Sequence, residues 1–166
     1  MAKKISLYSL LTVFALLVSY LEGIAFSFIP VPAFKLGLAN CVCMLLFEKK
    51  EYGAAITVNL SRILLSALLF GNFYSLAFSL SGAIFSSLAV LLLLKFKCFS
   101  FAGISAAGGA FHNFGQLAAA ALLNTAGLLY LLPLLFLVGA VLGFITGMLL
   151  EAFSKKYGNL INKITK

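Results

Sequence analysis

A short set of polar residues interrupts a sequence that is otherwise apolar: Glu22, Lys35, Asn40, Asn59, Arg62, His112, Asn113 and Gln116. At the centre of a bilayer a charged side chain costs about 2.5 to 3.5 kcal/mol on insertion scales, so each of these needs a partner, a water-filled cavity or a ligand. Asn59, Arg62 and Ser66 fall at i, i+3 and i+7, one stripe of a helix. His112, Asn113 and Gln116 cover an arc of about 100° on another. Two cations against one carboxylate leave a surplus positive charge, which an anionic or strongly polar head group would balance. Arg62 and Lys35 are the candidates to meet negative charge, and Asn40, Asn113 and Gln116 to orient the head group, with Asn59 a further candidate binding residue. Glu22 would fix Arg62 or accept a donor from the ligand. The structural alternative pairs Arg62 with Glu22 and uses the amides to hold helices together, with no ligand at all. A lone His112 fits a helix contact as well as a ligand contact.

The elements that position these residues must be membrane spans. Of 166 residues, 63% are hydrophobic and 10% charged, and the mean hydropathy is +1.15, a composition that cannot cover a soluble domain. Apolar segments are predicted at 5–26, 34–47, 52–70, 73–94, 101–123 and 128–153, giving an all-α integral membrane protein of six transmembrane helices in a single domain over residues 1–166. The second segment is short and follows Pro30-Val31-Pro32, where proline withholds a backbone donor, so an ordered loop leading into a short or tilted span is expected. Such a loop at membrane depth is a candidate wall for a site.

Charge distribution orients the bundle. Of the 12 basic residues, all except Lys35 and Arg62 fall in the gaps that share one side when the N terminus is cytoplasmic, which places both termini in the cytoplasm of a multi-pass protein of the bacterial cell membrane. The opposite connections, at Gly71-Asn72 and from Asn124 to Gly127, carry no charge. The net charge of +8 lacks the clustered basic face with interleaved aromatics that marks a nucleic-acid partner. Lys3, Lys4 and the first apolar run, ending near Gly23-Ile24-Ala25, also fit a signal peptide, but cleavage would discard Glu22, and the run is read as a retained span.

Small residues mark helix contacts. Gly139, Gly143 and Gly147 are spaced by four on one face and admit the close approach of another backbone, from this chain or from another subunit, the former being favoured. Ala15, Ser19 and Gly23 form a weaker ladder on the first helix. Cys41, Cys43 and Cys98 suit neither a disulfide framework nor a metal site, since Cys41 and Cys43 point about 200° apart on a helix, and they are read as packing residues. No metal or cofactor is expected.

Taken together, Leu21-Glu22-Gly23, Pro30-x-Pro32, the run from Lys35 to Asn40, Arg62, Phe70-Gly71 and His112-Asn113-x-Gly115-Gln116 resemble the Gx transporter family, also labelled heptaprenyl diphosphate synthase component I. The likeness extends over nearly the whole chain. That family is grouped with the S components of energy-coupling-factor importers. The resemblance implies an S-component-like bundle that binds a vitamin-like compound near the outer face and docks on a transmembrane coupling subunit driven by ATPases. S components carry an Ala-x-x-x-Ala docking motif on the first helix; this chain has Ala15-x-x-x-Ser19-x-x-x-Gly23 there.

Prenyl diphosphate synthesis itself is a poor match for the residues. Elongating prenyltransferases hold diphosphate through Mg²⁺ bound by clustered aspartates. This sequence contains no Asp, and three of its four acidic residues, Glu48, Glu51 and Glu151, fall at predicted cytoplasmic ends. There is also no Walker A loop and no nucleophile with a base and an orienting acid. The expectation is a non-enzyme: a substrate-binding subunit of an importer, taking a small hydrophobic compound with a polar or anionic head. The alternatives are a membrane accessory subunit of polyprenyl diphosphate or quinone metabolism or of a flavin- or quinone-linked electron-transfer assembly, or a purely structural scaffold. Its partners would be the ligand, membrane lipid, and the coupling subunit with its ATPases.

Overall fold

The computed structural model describes residues 2–25, 39–96, 98–123 and 126–165. The expected loop at Pro30 to Pro32, and Lys35 with it, lies outside the described residues. The elements in order are α1 (Ala2–Ala25), α2 (Asn40–Glu48), α3 (Tyr52–Phe70), α4 (Phe73–Phe96), α5 (Phe101–Leu122), a 3-10 turn (Ala126–Leu131) and α6 (Leu132–Thr165). The described chain is therefore all helical, as its apolar runs dictate.

Four of the helices, α1, α3, α4 and α6, are long and apolar enough to cross a membrane. α5 reaches the necessary length, but Gly, Ser, His, Asn and Gln dilute its apolar character. It can carry them because it lies between α4 and α6 and buries Ser105, His112, Asn113 and Gln116 inside protein. α2 has 9 residues, about 13 Å of helix, too short to span. It serves as a plug: Val42, Cys43, Met44, Leu46 and Phe47 are buried and form a core with Ala15 of α1, Val58 of α3, Val90 of α4 and Ile104 of α5.

α2 stops at a Schellman closure, in which the Glu51 N–H donates to the Leu46 carbonyl and the Lys50 N–H to the Phe47 carbonyl, both at 3.0 Å. Lys50 occupies the left-handed position at φ 60°, where glycine is usual. The turn is tied to α1 by Lys4 Nζ donating to Glu51 Oε1 at 3.3 Å and Tyr8 Oη donating to Glu51 Oε2 at 2.7 Å. At the same end, Ser100 caps α5 by accepting from the Gly103 N–H at 3.1 Å, and Glu151 of α6 accepts from the Ala102 N–H, also at 3.1 Å. Alternation of the helices brings Lys4, Lys49, Lys50, Lys95, Lys155 and Lys156 to this end. The far end carries the Gly71-Asn72 turn, where Asn72 Oδ1 accepts from the Ser75 N–H at 2.8 Å and starts α4.

α6 continues past the expected boundary at Phe153 to Thr165, a helix of 34 residues or about 50 Å. Nothing in the stretch beyond Phe153 breaks a helix except Gly158, which costs only about 1 kcal/mol in a helix interior.

Candidate functional site

Arg62 sits on the buried face of α3 and is 7% exposed. Its guanidinium has five N–H donors, and three find acceptors within the bundle. Nε and Nη2 donate to Oδ1 of Asn59, one turn back on the same helix, at 3.3 and 2.7 Å, and Nη1 donates to Ser19 Oγ of α1 at 2.6 Å. The i, i+3 spacing read from the sequence is what lets Asn59 cradle the guanidinium. Glu22, one turn beyond Ser19 on α1, is 6% exposed and faces the same small chamber. Asn59 and Ser19 orient Arg62 by accepting its hydrogen bonds.

The chamber leaves about 20 Å³ for water-sized spheres, room for one water, and is lined by Ser19, Glu22, Asn40, Arg62, Ile63, Ser66, Ser79 and His112. All of α1 to α5 contribute. A second small space of about 30 Å³ lies on the other side of Asn40 and His112, among Cys41, Met44, Ser86, Ser105, Gly108 and Thr146. Toward the end away from the lysines, Ser19 and Ser66 are shared with an open vestibule of about 320 Å³ at the far end of α1, α3 and α4, whose other walls are Tyr20, Gly23, Ile24, Phe70, Gly71 and Ser75. The Tyr20 and Phe70 rings meet there with centroids 4.5 Å apart.

His112 reaches the chamber because α4 offers a glycine beneath it: a Cβ at Gly82 would stand 2.8 Å from the imidazole Cε1. Gln116 supports the ring from the next turn, with its Nε2 3.1 Å from His112 Nε2. Asn113 departs from expectation. Its Nδ2 donates to the Leu135 carbonyl of α6 at 2.6 Å, so it bolts α5 to α6 and turns away from Arg62. The described structure thus brings Glu22, Asn40, Asn59, Arg62 and His112 together and sets Gln116 behind them. Ser19, Ser66 and Ser79 complete the lining. The sequence singles out Ser19 only as a member of the small-residue ladder on the first helix, a packing role that does not point to Arg62.

The glycine ladder of α6 faces α5. A Cβ at Gly147 would lie 2.6 Å from Ala102 Cα, and the ones at Gly143 and Gly139 would collide with the Ser105 and Gly109 backbone. On α1 the weaker ladder divides: Ala15 is fully buried, Ser19 holds Arg62, and a Cβ at Gly23 would meet nothing among the described residues. Ala15 therefore packs inside the bundle, while Ser19 is half-buried and also borders the open vestibule. Among the cysteines, Cys43 is buried and Cys41 donates to Thr146 Oγ1 at 3.7 Å, while Cys98 is exposed.

The family of heptaprenyl diphosphate synthase component I matches residues 11–153, most of the chain and every helix that lines the chamber. The chain belongs to that family. No curated protein and no solved structure matches the chain. The name describes one component of a synthase and so implies a partner component in a larger complex. In this component I protein, several long apolar helices make a multi-pass membrane protein, and Glu22, Asn40, Arg62 and His112 line one small chamber.

Proposed function

We propose that this component I protein is the substrate-binding subunit of an energy-coupling-factor type importer. It captures a small hydrophobic compound with a polar or anionic head from the outer face of the bacterial cell membrane, and it performs no catalysis. The observation that supports this reading is the buried Arg62, held by Asn59 and Ser19 beside Glu22, at the base of a vestibule on the end of the bundle away from the lysines. By the positive-inside rule the lysine-bearing end is cytoplasmic, so the vestibule faces outward. Lacking a nucleotide-binding motif, the protein would depend on a coupling subunit and ATPases for active import.

A second reading is favoured by the family name: an accessory membrane subunit of polyprenyl diphosphate or quinone metabolism, in which the same site holds a lipid or quinone head group. Purification of the tagged chain from its native membrane separates the two. Recovery with a transmembrane coupling protein and ATPases, in an amount that follows ATP-dependent uptake of the bound compound, supports the importer. Recovery with a prenyltransferase or a redox protein, and no uptake defect on deletion, refutes it in favour of the accessory role.

A further inference from the structure

We propose that the groove between α3 and α4, on the lipid-facing side of the bundle, is a second binding site. It is separate from the vestibule and takes a neutral, membrane-dissolved compound whose carbonyl oxygen accepts a hydrogen bond from Asn59 Nδ2.

The donor is the first argument. Asn59 is 6% exposed, and its Oδ1 accepts from both Nε and Nη2 of Arg62. A guanidinium only donates, so the amide atom facing it is the oxygen, and the nitrogen is turned the other way. Among the described residues nothing accepts from that nitrogen, and Asn59 lines the groove. A buried donor left without an acceptor is costly, so the groove is set to receive one. An acceptor on Nδ2 also draws negative charge toward Oδ1 and so strengthens the hold on Arg62.

The walls are the second. Ile56 and Leu60 of α3 and Ile84 and Leu88 of α4 are exposed along two membrane-crossing helices, so this groove of about 230 Å³ opens to hydrocarbon. Its polar side chains are Asn59 and Ser87. An ionised group is disfavoured in the bilayer interior, which selects a neutral occupant. The volume falls below the usual range of about 300 to 1,000 Å³ for ligand pockets, so the groove holds a ring or a short stretch of chain while the rest of the molecule stays in the bilayer.

Depth decides where the carbonyl comes from. Between Tyr52, at the lysine-bearing end, and Asn59, α3 rises about 10 Å. The head-group layer is about 5 to 7 Å thick on each side of the bilayer, so the ester carbonyls of phospholipids stop short of Asn59. The occupant is therefore a compound free to move within the hydrocarbon.

The test uses benzophenone, a neutral ketone that inserts into neighbouring C–H bonds under ultraviolet light. The full-length protein in lipid nanodiscs is illuminated with it, and the adducts are mapped by mass spectrometry. We expect saturable labelling of Ile56, Leu60, Ile84 and Leu88 above that of Leu17 and Leu137, which are exposed on other helices, and equal labelling in ester-linked and ether-linked lipid. Diphenylmethane, of the same shape without the oxygen, should compete about tenfold less well than unlabelled benzophenone. Asn59→Asp keeps an oxygen for Arg62 but removes the donor, and should cut groove labelling about tenfold. Ser87→Leu fills the groove without touching Arg62 and should do the same. Labelling spread evenly over the lipid-facing helices, equal competition by diphenylmethane, or wild-type labelling of Asn59→Asp overturns the proposal. Labelling that appears only in ether-linked lipid also overturns it, by showing a phospholipid ester in the groove. The competition is read on the wild type, so a misfolded variant does not remove the test.

Discussion

The Arg62 guanidinium donates to the Ser19 hydroxyl across 2.6 Å, joining α3 to α1 at the level of the buried chamber. With Asn59 on its other edge, the guanidinium is held by neutral oxygens from two helices, and Glu22 lines the same chamber.

Arg62→Lys keeps the charge but replaces a planar fork with one ammonium, which cannot serve Asn59 and Ser19 in the same geometry. The expected result is loss of most retained ligand, with a loss of stability at least as large as that of Ser19→Ala. Ser19→Ala removes one interhelical hydrogen bond and should lower stability by on the order of 1 kcal/mol. Ligand retention and unfolding in detergent, measured on both variants, check the pair.

The two small-residue ladders should respond differently. Gly147→Ala puts a Cβ where Ala102 Cα of α5 already stands and should destabilise by about 1 to 3 kcal/mol. Gly23→Ala meets open space and gains helix propensity, so it should be neutral or stabilising by up to about 1 kcal/mol. Denaturant unfolding of the two variants gives the comparison.

Much of this architecture was legible before any coordinates. Long apolar runs set α3 to the residue and α1 and α4 to within three residues at each end, because lipid demands uninterrupted helix. The i, i+3 pair Asn59 and Arg62 was legible as one face, and the structure makes it one hydrogen-bonded unit. Asn113 was not: an arc on a helical wheel says which way a residue points, not which neighbour arrives, and α6 reached its amide first. Ser19 was read as a packing residue because a hydroxyl in a ladder of small residues carries no mark of the arginine opposite it. The continuation of α6 to Thr165 was missed because hydropathy ends a membrane span at the charged boundary, whereas helical hydrogen bonding does not stop there.

Acid should loosen the turn between α2 and α3. The Tyr8 hydroxyl, and then Lys4, hold the Glu51 carboxyl below its ordinary value of 4.5. A depressed folded value means that the stabilisation is complete above the unfolded value and is lost as pH falls through the folded one. Unfolding temperature should therefore drop below about pH 4.5 in the wild type, and Glu51→Gln should flatten that slope. An unchanged slope in Glu51→Gln would assign the acid sensitivity elsewhere.

The central claim is that the buried polar groups converge on a chamber opening at the outer face. Ser66 belongs to both the chamber and the vestibule, and the exposed Cys98 stands at the lysine-bearing end. Labelling intact cells with a membrane-impermeant maleimide tests the claim most directly. The expected result is that Ser66→Cys in a Cys98→Ser background reacts from outside, whereas wild-type Cys98 reacts only after permeabilisation. Reaction of Cys98 on intact cells, with Ser66→Cys silent until the membrane is opened, would contradict it.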